Sequence, residues 1–460
     1  MDKQAKRNKY FFGLGTIGRD MFYAFESNAL LYFLSNVLNL PLSTFAAVSL
    51  VLSVMRIFDA INDPITGLMV DNIRSPWGKY KPAILFGGLL SVITYLMLFS
   101  QIGGNGTLYV IIFAVAYFIW DVTYGINDIG YWSLMPAITQ DQKQRENIGA
   151  FARICANIGM YIVMVGWQPI TSALGNTPQS WFLLAVVICV FYIGFLLFTL
   201  LGVKENRALE NSDGEENTSL KAMWKALTGN DQLMWTALSM ALFMIGYCIT
   251  TGFAMYYMQY VYGNADMYPI LAGVCGIAQL AALLVFPLFS KKFNRKQLYT
   301  IATILVLIGY VIFAFAEVSI FLIAVGAILI FVGQAFIQLL MLMFLTDTVE
   351  YGQLKLGKRH ESIVLSIQPL INKIGGALST GVISLSVILS GIKTADSDMA
   401  ADSIDAGGVL IIKVAMLLIP LICILVGYFI YRKKYKIDEK YYAEILEQLK
   451  ARGDVTDEQK

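Results

Sequence analysis

In the run Arg56-Ile-Phe-Asp59-Ala-Ile-Asn62-Asp63-Pro64, spacings of three and four place Arg56, Asp59 and Asp63 on one helix face, with Asn62 beside them. Two carboxylates one turn apart repel. The repulsion raises the proton affinity of one of them, or is relieved by a bound Na⁺, a hard cation that takes oxygen ligands. The pair therefore has an intrinsic reason to hold a cation. Pro64 weakens the helix locally and can leave a backbone carbonyl free as a further ligand. The competing structural reading is an ion-pair network in which Arg56 or Lys373 ties two helices together.

A second pattern lies in Trp120-Asp121-Val-Thr-Tyr124-Gly-Ile-Asn127-Asp128-Ile-Gly-Tyr131-Trp132. Tyr124, Asp128 and Trp132 recur every four residues and make one stripe of an acid between two aromatic rings. Sugars are bound by such groups: a carboxylate accepts bonds from adjacent hydroxyls while a ring packs on the apolar face of the sugar. Asp20, Tyr23 and Ser27 share a face in the same way. Arg153, with Asn157 one turn on, is suited to pair with Asp20 or Asp128, or to donate to a ligand.

The elements that position these residues are membrane helices. The chain has 460 residues, is 57% hydrophobic and 14% charged, and has a mean hydropathy of +0.63, too little polar surface for a water-soluble globule of that size. A spanning helix needs about 20 mostly apolar residues. Twelve stretches qualify, roughly 10–36, 44–71, 82–101, 108–136, 147–172, 180–203, 231–260, 267–290, 297–316, 319–346, 361–391 and 407–431. Lys and Arg concentrate in the alternate loops and at both ends, for example Arg74, Lys79 and Lys81, Lys291 to Lys296, and Arg432 to Lys436, whereas the opposite loops hold only Lys393. By the positive-inside rule both termini face the cytoplasm, which places the chain in the cell membrane. The net charge of +2 hides this asymmetry and gives no reason to expect nucleic acid as a partner. The first apolar run is too long for a cleavable signal and stays as helix one. Cys155, Cys189, Cys248, Cys275 and Cys423 are single and scattered, which supports neither a disulfide framework nor a metal site.

The polar stretch 204–230 divides the hydrophobic segments six and six. The expected organisation is an N-terminal six-helix bundle (1–203), a cytoplasmic linker (204–230), a C-terminal bundle (231–431) and a cytoplasmic tail (432–460) that forms a short amphipathic helix. Two six-helix halves around a central path is the all-α architecture of the major facilitator type, with substrate near the midplane. Ionisable groups at bilayer depth are costly and are functional candidates by default. Here they are Asp20, Glu26, Arg56, Asp59, Asp63, Asp121, Asp128, Arg153 and Lys373, while Arg19 and Lys413 sit near helix ends where they can snorkel. In the C-terminal half the polar groups are Tyr256, Tyr257, Gln334, Gln338, Gln368, Asn372 and Lys373. Lys373 requires an acidic partner, and the Asp59/Asp63 pair is the natural one. His360 falls in a solvated loop.

These segments resemble the glycoside-pentoside-hexuronide cation symporters of the major facilitator type. The likeness is carried by Gly18-Arg-Asp20, by Arg56 through Gly67, by Asp71 through Pro82, by Asp128-Ile-Gly-Tyr-Trp-Ser-Leu-Met-Pro136, and by Asp347-Thr-Val-Glu-Tyr-Gly352 with Glu361-Ser-Ile. The resemblance implies a sugar site built on Asp20 and Asp128 with Tyr124, Trp132 and Arg153, a cation site at Asp59 and Asp63 with Lys373 close by, and a part for Asn62 in choosing the cation. Gly125 and Pro369 replace two hydroxyl residues that lie near Na⁺ in the family's best-known member, which weighs toward protons over Na⁺. Gln338 replaces a tryptophan of the sugar cavity, and Glu26 matches no family acid.

The expectation is thus a transporter and not an enzyme: symport of a glycoside, oligosaccharide or uronide with H⁺ or Na⁺, by alternating access, without a cofactor. Its partners are the sugar, the coupling cation and membrane lipid. The expected substrate-binding residues are Asp20, Tyr23, Tyr124, Asp128, Trp132, Arg153, Gln338 and Lys373, and the coupling residues Asp59, Asn62 and Asp63. The alternative is a facilitator-fold carrier of lipid or another small solute.

Overall fold

A computed structural model describes residues 3–71, 73, 75–138, 142–204, 228–316, 319–357, 361–393 and 403–452. Among them the chain forms twelve long helices: α1 (Lys3–Tyr32), α2 (Leu42–Asp71), α3 (Lys81–Leu98), α4 (Thr107–Ile138), α5 (Gln142–Ala173), α6 (Pro178–Gly202), α7 (Asp231–Tyr260), α8 (Tyr268–Ser290), α9 (Arg295–Ala314), α10 (Ile320–Leu356), α11 (Glu361–Leu389) and α12 (Ala406–Lys434, with a π turn at Val414–Leu418). A shorter helix, α13 (Glu439–Ala451), follows. No strand occurs among the described residues.

Eleven of the twelve long helices are apolar enough to cross a bilayer. The exception is α1, in which every 18-residue window carries at least three charged residues, because Arg19, Asp20 and Glu26 interrupt its apolar run. Helix α10 continues well past the expected residue 346, through the Asp347–Gly352 motif, and ends at Gly357, whose φ of +75° is the left-handed conformation that closes a helix and suits glycine. Lys355 lies in the last turn of this helix. Most of the expected linker, 204–230, and His360 lie outside the described residues.

The chain separates into two compact units. In the first, formed by α1 to α6 with residues 264–273 and 384–408, α1 packs on α5 and α6, α2 on α4, and α3 on α4 and α6. Its interior is aromatic: the Phe22 ring stacks on Tyr95 at 3.9 Å and on Tyr192 at 4.3 Å. Helices α1 and α5 approach so closely at Gly159 that an added Cβ would stand 2.2 Å from the Ile17 carbonyl oxygen, as expected where small residues let membrane helices touch. In the second unit, α9 packs on α10, α7 on α10 and α12, and α13 on α10. Gly309 and Gly326 make the corresponding backbone approach between α9 and α10. Large aliphatic side chains such as Leu201, Ile277 and Leu284 point outward and are exposed, as lipid-facing surfaces require.

The tail helix α13 is the amphipathic helix expected after residue 432. Asp438 caps its N-terminus by accepting from the Tyr441 N–H at 2.9 Å, and Ile445 and Leu449 are buried. Arg295 and the Tyr435 hydroxyl both donate to Asp347 in the C-terminal part of α10.

Candidate sugar and coupling sites

On α1 the residues at and after Asp20 alternate between core and opening. Phe22 is buried, whereas Asp20 and Ser27 are half-buried and Tyr23 is exposed. On α4 the four-residue stripe repeats this: Tyr124, Asp128 and Trp132 are all partly exposed while Asn127 is buried and donates to the Ile84 carbonyl at 2.6 Å. The two faces meet. The Tyr23 and Tyr124 rings stack at 5.9 Å, and Tyr124 stacks on Trp120 at 5.5 Å. The structure thus brings together the acid-and-aromatic groups of α1 and α4.

Arg19 belongs to this cluster, contrary to the expectation that it snorkels at a helix end. It is 2% exposed and forms an ion pair with Asp128. Its guanidinium lies 4.1 Å from the Tyr131 ring centroid and 5.8 Å from that of Trp132. The cause is geometric. Arg19 sits on the α1 flank facing α4, where Tyr131, anchored by its hydroxyl to the Phe12 carbonyl, supplies an aromatic floor for a desolvated cation. Nε and Nη1 of Arg19 are buried and make no hydrogen bond among the described residues. Arg153 is exposed, and its guanidinium stands 6.0 Å from the Trp132 ring, so Trp132 lies near two guanidinium groups. The described ion pair of Asp128 is with Arg19, not with Arg153.

A second polar cluster joins α1, α2 and α4. Glu26 is 2% exposed, and its Oε1 lies 3.5 Å from Nη2 of Arg56 and 3.1 Å from the Tyr117 hydroxyl, which donates to it. Glu26, without a family counterpart, is therefore the partner of Arg56. Tyr117 went unremarked in the sequence, although it extends the Asp121, Tyr124, Asp128 series by one more turn. On α2, Asp59 and Asn62 are half-buried; the side chain of Asp63 lies outside the described residues. Gly125 is buried, yet an added Cβ would meet no described atom within 4 Å.

The second unit is poorer in charge. Tyr256 and Tyr257 are buried, and Tyr257 packs edge-on against Phe313 at 4.9 Å, so they serve the core. Gln334 is fully buried, and Gln338, one turn on, is half-buried. Gln338 and Gln279 both lie within hydrogen-bonding reach of the half-buried Tyr247. Tyr247 and Gln279 are additions to the expected set. On α11, Gln368 and Lys373 are half-buried, and Pro369 and Asn372 are exposed.

The sequence profile described as MFS/sugar transport protein matches residues 11–439. The chain is 34% identical to the lactose permease of Lactobacillus delbrueckii subsp. bulgaricus, across 95% of this chain and 71% of the permease. It is 33% identical to the raffinose carrier protein of Pediococcus pentosaceus, across 96% of this chain and 71% of the carrier. Its fold matches that of the nucleoside transporter NupG with a TM-score of 0.63 at 17% identity, over 93% of this chain and all of that one.

Proposed function

This chain belongs to the MFS/sugar transport protein family, among the glycoside-pentoside-hexuronide symporters, and we propose that it carries a glycoside, oligosaccharide or uronide across the membrane together with H⁺ or Na⁺. The observation that carries the sugar site is the meeting of two half-open faces on α1 and α4. There Asp20 and Asp128 stand beside Tyr23, Tyr124 and Trp132. A carboxylate can accept from two neighbouring hydroxyls while a ring covers the C–H face of the sugar. Arg19 fixes Asp128, and Arg153 flanks Trp132. In the second unit, Gln338 with Tyr247 and Gln279 offers amide and phenol groups suited to hydroxyls, and Lys373, half-buried on α11, is the charged residue of the expected set. Raffinose and lactose, for which the two relatives are named, are the first sugars to test.

The coupling cation binds at Asp59 and Asp63 with Asn62 beside them. Its arrival offsets one of the two charges and relieves the repulsion within the pair, and alternating access then carries sugar and cation across together. The loop charges put both termini in the cytoplasm of a cell-membrane protein. Uptake of labelled raffinose, lactose and a uronide into vesicles, under an imposed pH gradient or an imposed Na⁺ gradient, tests substrate and cation at once. Accumulation above the equilibrium level under one gradient is the expected result; none of these sugars accumulating under either gradient contradicts it.

A further inference from the structure

Glu26 plays no part in the sugar or cation sites above, yet among the described acids near them it is the most enclosed. It projects from α1 into the space between α2 and α4, at 2% exposure, where Arg56 and Tyr117 converge on one carboxylate oxygen. Arg56 stands on the same helix as the coupling acids, three residues before Asp59 and seven before Asp63. Arg56 therefore serves as counter-charge to Glu26 within one to two turns of both coupling acids. We propose that Glu26 is a positioning residue that sets the cation affinity of the α2 pair by competing with it for Arg56. The proposal rests on the assignment of Asp59 and Asp63 as the coupling site.

The physical basis is charge competition in a poorly screened place. An opposite charge within about 4–6 Å lowers a carboxylate's proton affinity by about tenfold or more, and a guanidinium beside the same oxygens likewise opposes Na⁺. Glu26 holds Arg56 toward α1, and the Tyr117 hydroxyl fixes the carboxylate that does so. Without the charge of Glu26, Arg56 turns to Asp59 and Asp63 and stands in for the cation. The other ionisable groups around the cluster are Tyr23 on α1, Tyr95 on α3 and Asp121 on α4. All three are acids, so none of these three supplies a positive charge to Glu26 in place of Arg56.

The experiment measures sugar accumulation in vesicles against cation concentration, with equilibrium exchange of the same sugar at saturating cation alongside. Glu26→Gln is expected to raise the half-saturating cation concentration about tenfold, which for protons is about one pH unit lower, with exchange retained. The double variant Glu26→Gln/Arg56→Gln is expected to return the midpoint toward that of the parent, a rescue that a purely structural ion pair does not produce. An unchanged midpoint in Glu26→Gln, or a double variant shifted as far as the single one, overturns the proposal. If Glu26→Gln fails to reach the membrane, Arg56→Gln alone decides: a lower half-saturating concentration supports the competition, and an unchanged or higher one refutes it. Asp59→Asn measured in parallel separates the two levels, since accumulation surviving that change removes the coupling site itself.

Discussion

The two units handle polarity in opposite ways. In the first, buried and half-buried charges are built into the helices: Arg19 with Asp128, Arg56 with Glu26, and Asp20 and Asp59 close by in the chain. In the second, the membrane-depth polar groups are mainly amides and phenols, Tyr247, Gln279, Gln334 and Gln338, with Lys373 the exception. The ion pairs of that unit, Arg295 with Asp347, Lys355 with Asp231 and Lys296 with Asp438, stand at helix ends. A charge inside a bilayer is kept only where it is paired and used. The contrast supports the proposal that charge recognition and cation coupling belong to the first unit, while the second contributes mainly neutral hydrogen-bonding groups.

The largest test of that division is removal of the acid in the stripe. Asp128→Ala deletes a charged acceptor and strands the buried Arg19, and losing one partner of a hydrogen-bonded charge pair costs roughly 2–5 kcal/mol, here at the lower end because the Asp128 side chain is 42% exposed. Sugar binding measured by equilibrium dialysis should therefore fall by about 30-fold or more. Retained binding would place the sugar elsewhere. Next comes Arg19→Gln, which keeps some hydrogen bonding and removes the charge. Sugar affinity should drop about tenfold, and the melting temperature in detergent should fall as well, because Asp128 loses its charged partner. An Arg19 that merely snorkels would give neither effect.

Gln338→Ala sharpens the comparison from the other side. Neutral hydrogen bonds contribute about 0.5–1.5 kcal/mol, so affinity should change only a few-fold, while the preference between lactose and raffinose shifts. A loss as large as that of Asp128→Ala would dissolve the contrast between the units. The smallest effect is expected at the tail. Asp438→Ala removes the α13 cap at about 1 kcal/mol and should leave transport rates as they are. The Tyr441 N–H and Lys296 hold the Asp438 carboxyl below its usual range. Its stabilisation is therefore present above the ordinary carboxylate range and fades as pH falls through it. Thermal unfolding of the parent and the variant should accordingly converge under acid conditions.

Helix number and placement were legible in the sequence because apolar length is a coarse, additive signal. The stretch expected at 231–260 coincides with α7, and others differ from their helices by a few residues. The end of α10 was missed because Asp347, Glu350 and Lys355 make the sequence polar while the backbone continues to Gly357; hydropathy reports the bilayer, not the helix. The stripe of Tyr124, Asp128 and Trp132 was legible because spacing of four is local. The pairings were not. Arg19 with Asp128 and Glu26 with Arg56 join residues far apart in the chain, and spacing says nothing about which flank of α1 faces α4 or α2. Tyr256 and Tyr257 show that residue type alone does not give the helix face: they are polar groups by type, and the fold turns both into the core.

In the proposed mechanism two sets of acids in one unit do different work, Asp128 holding sugar and Asp59 coupling it to the cation. The most direct measurement compares equilibrium exchange with gradient-driven accumulation of one labelled sugar, in the same vesicles, for Asp59→Asn and Asp128→Asn. The account predicts that Asp59→Asn keeps exchange and loses accumulation, whereas Asp128→Asn loses both. Accumulation retained by Asp59→Asn, or exchange retained by Asp128→Asn, would contradict it.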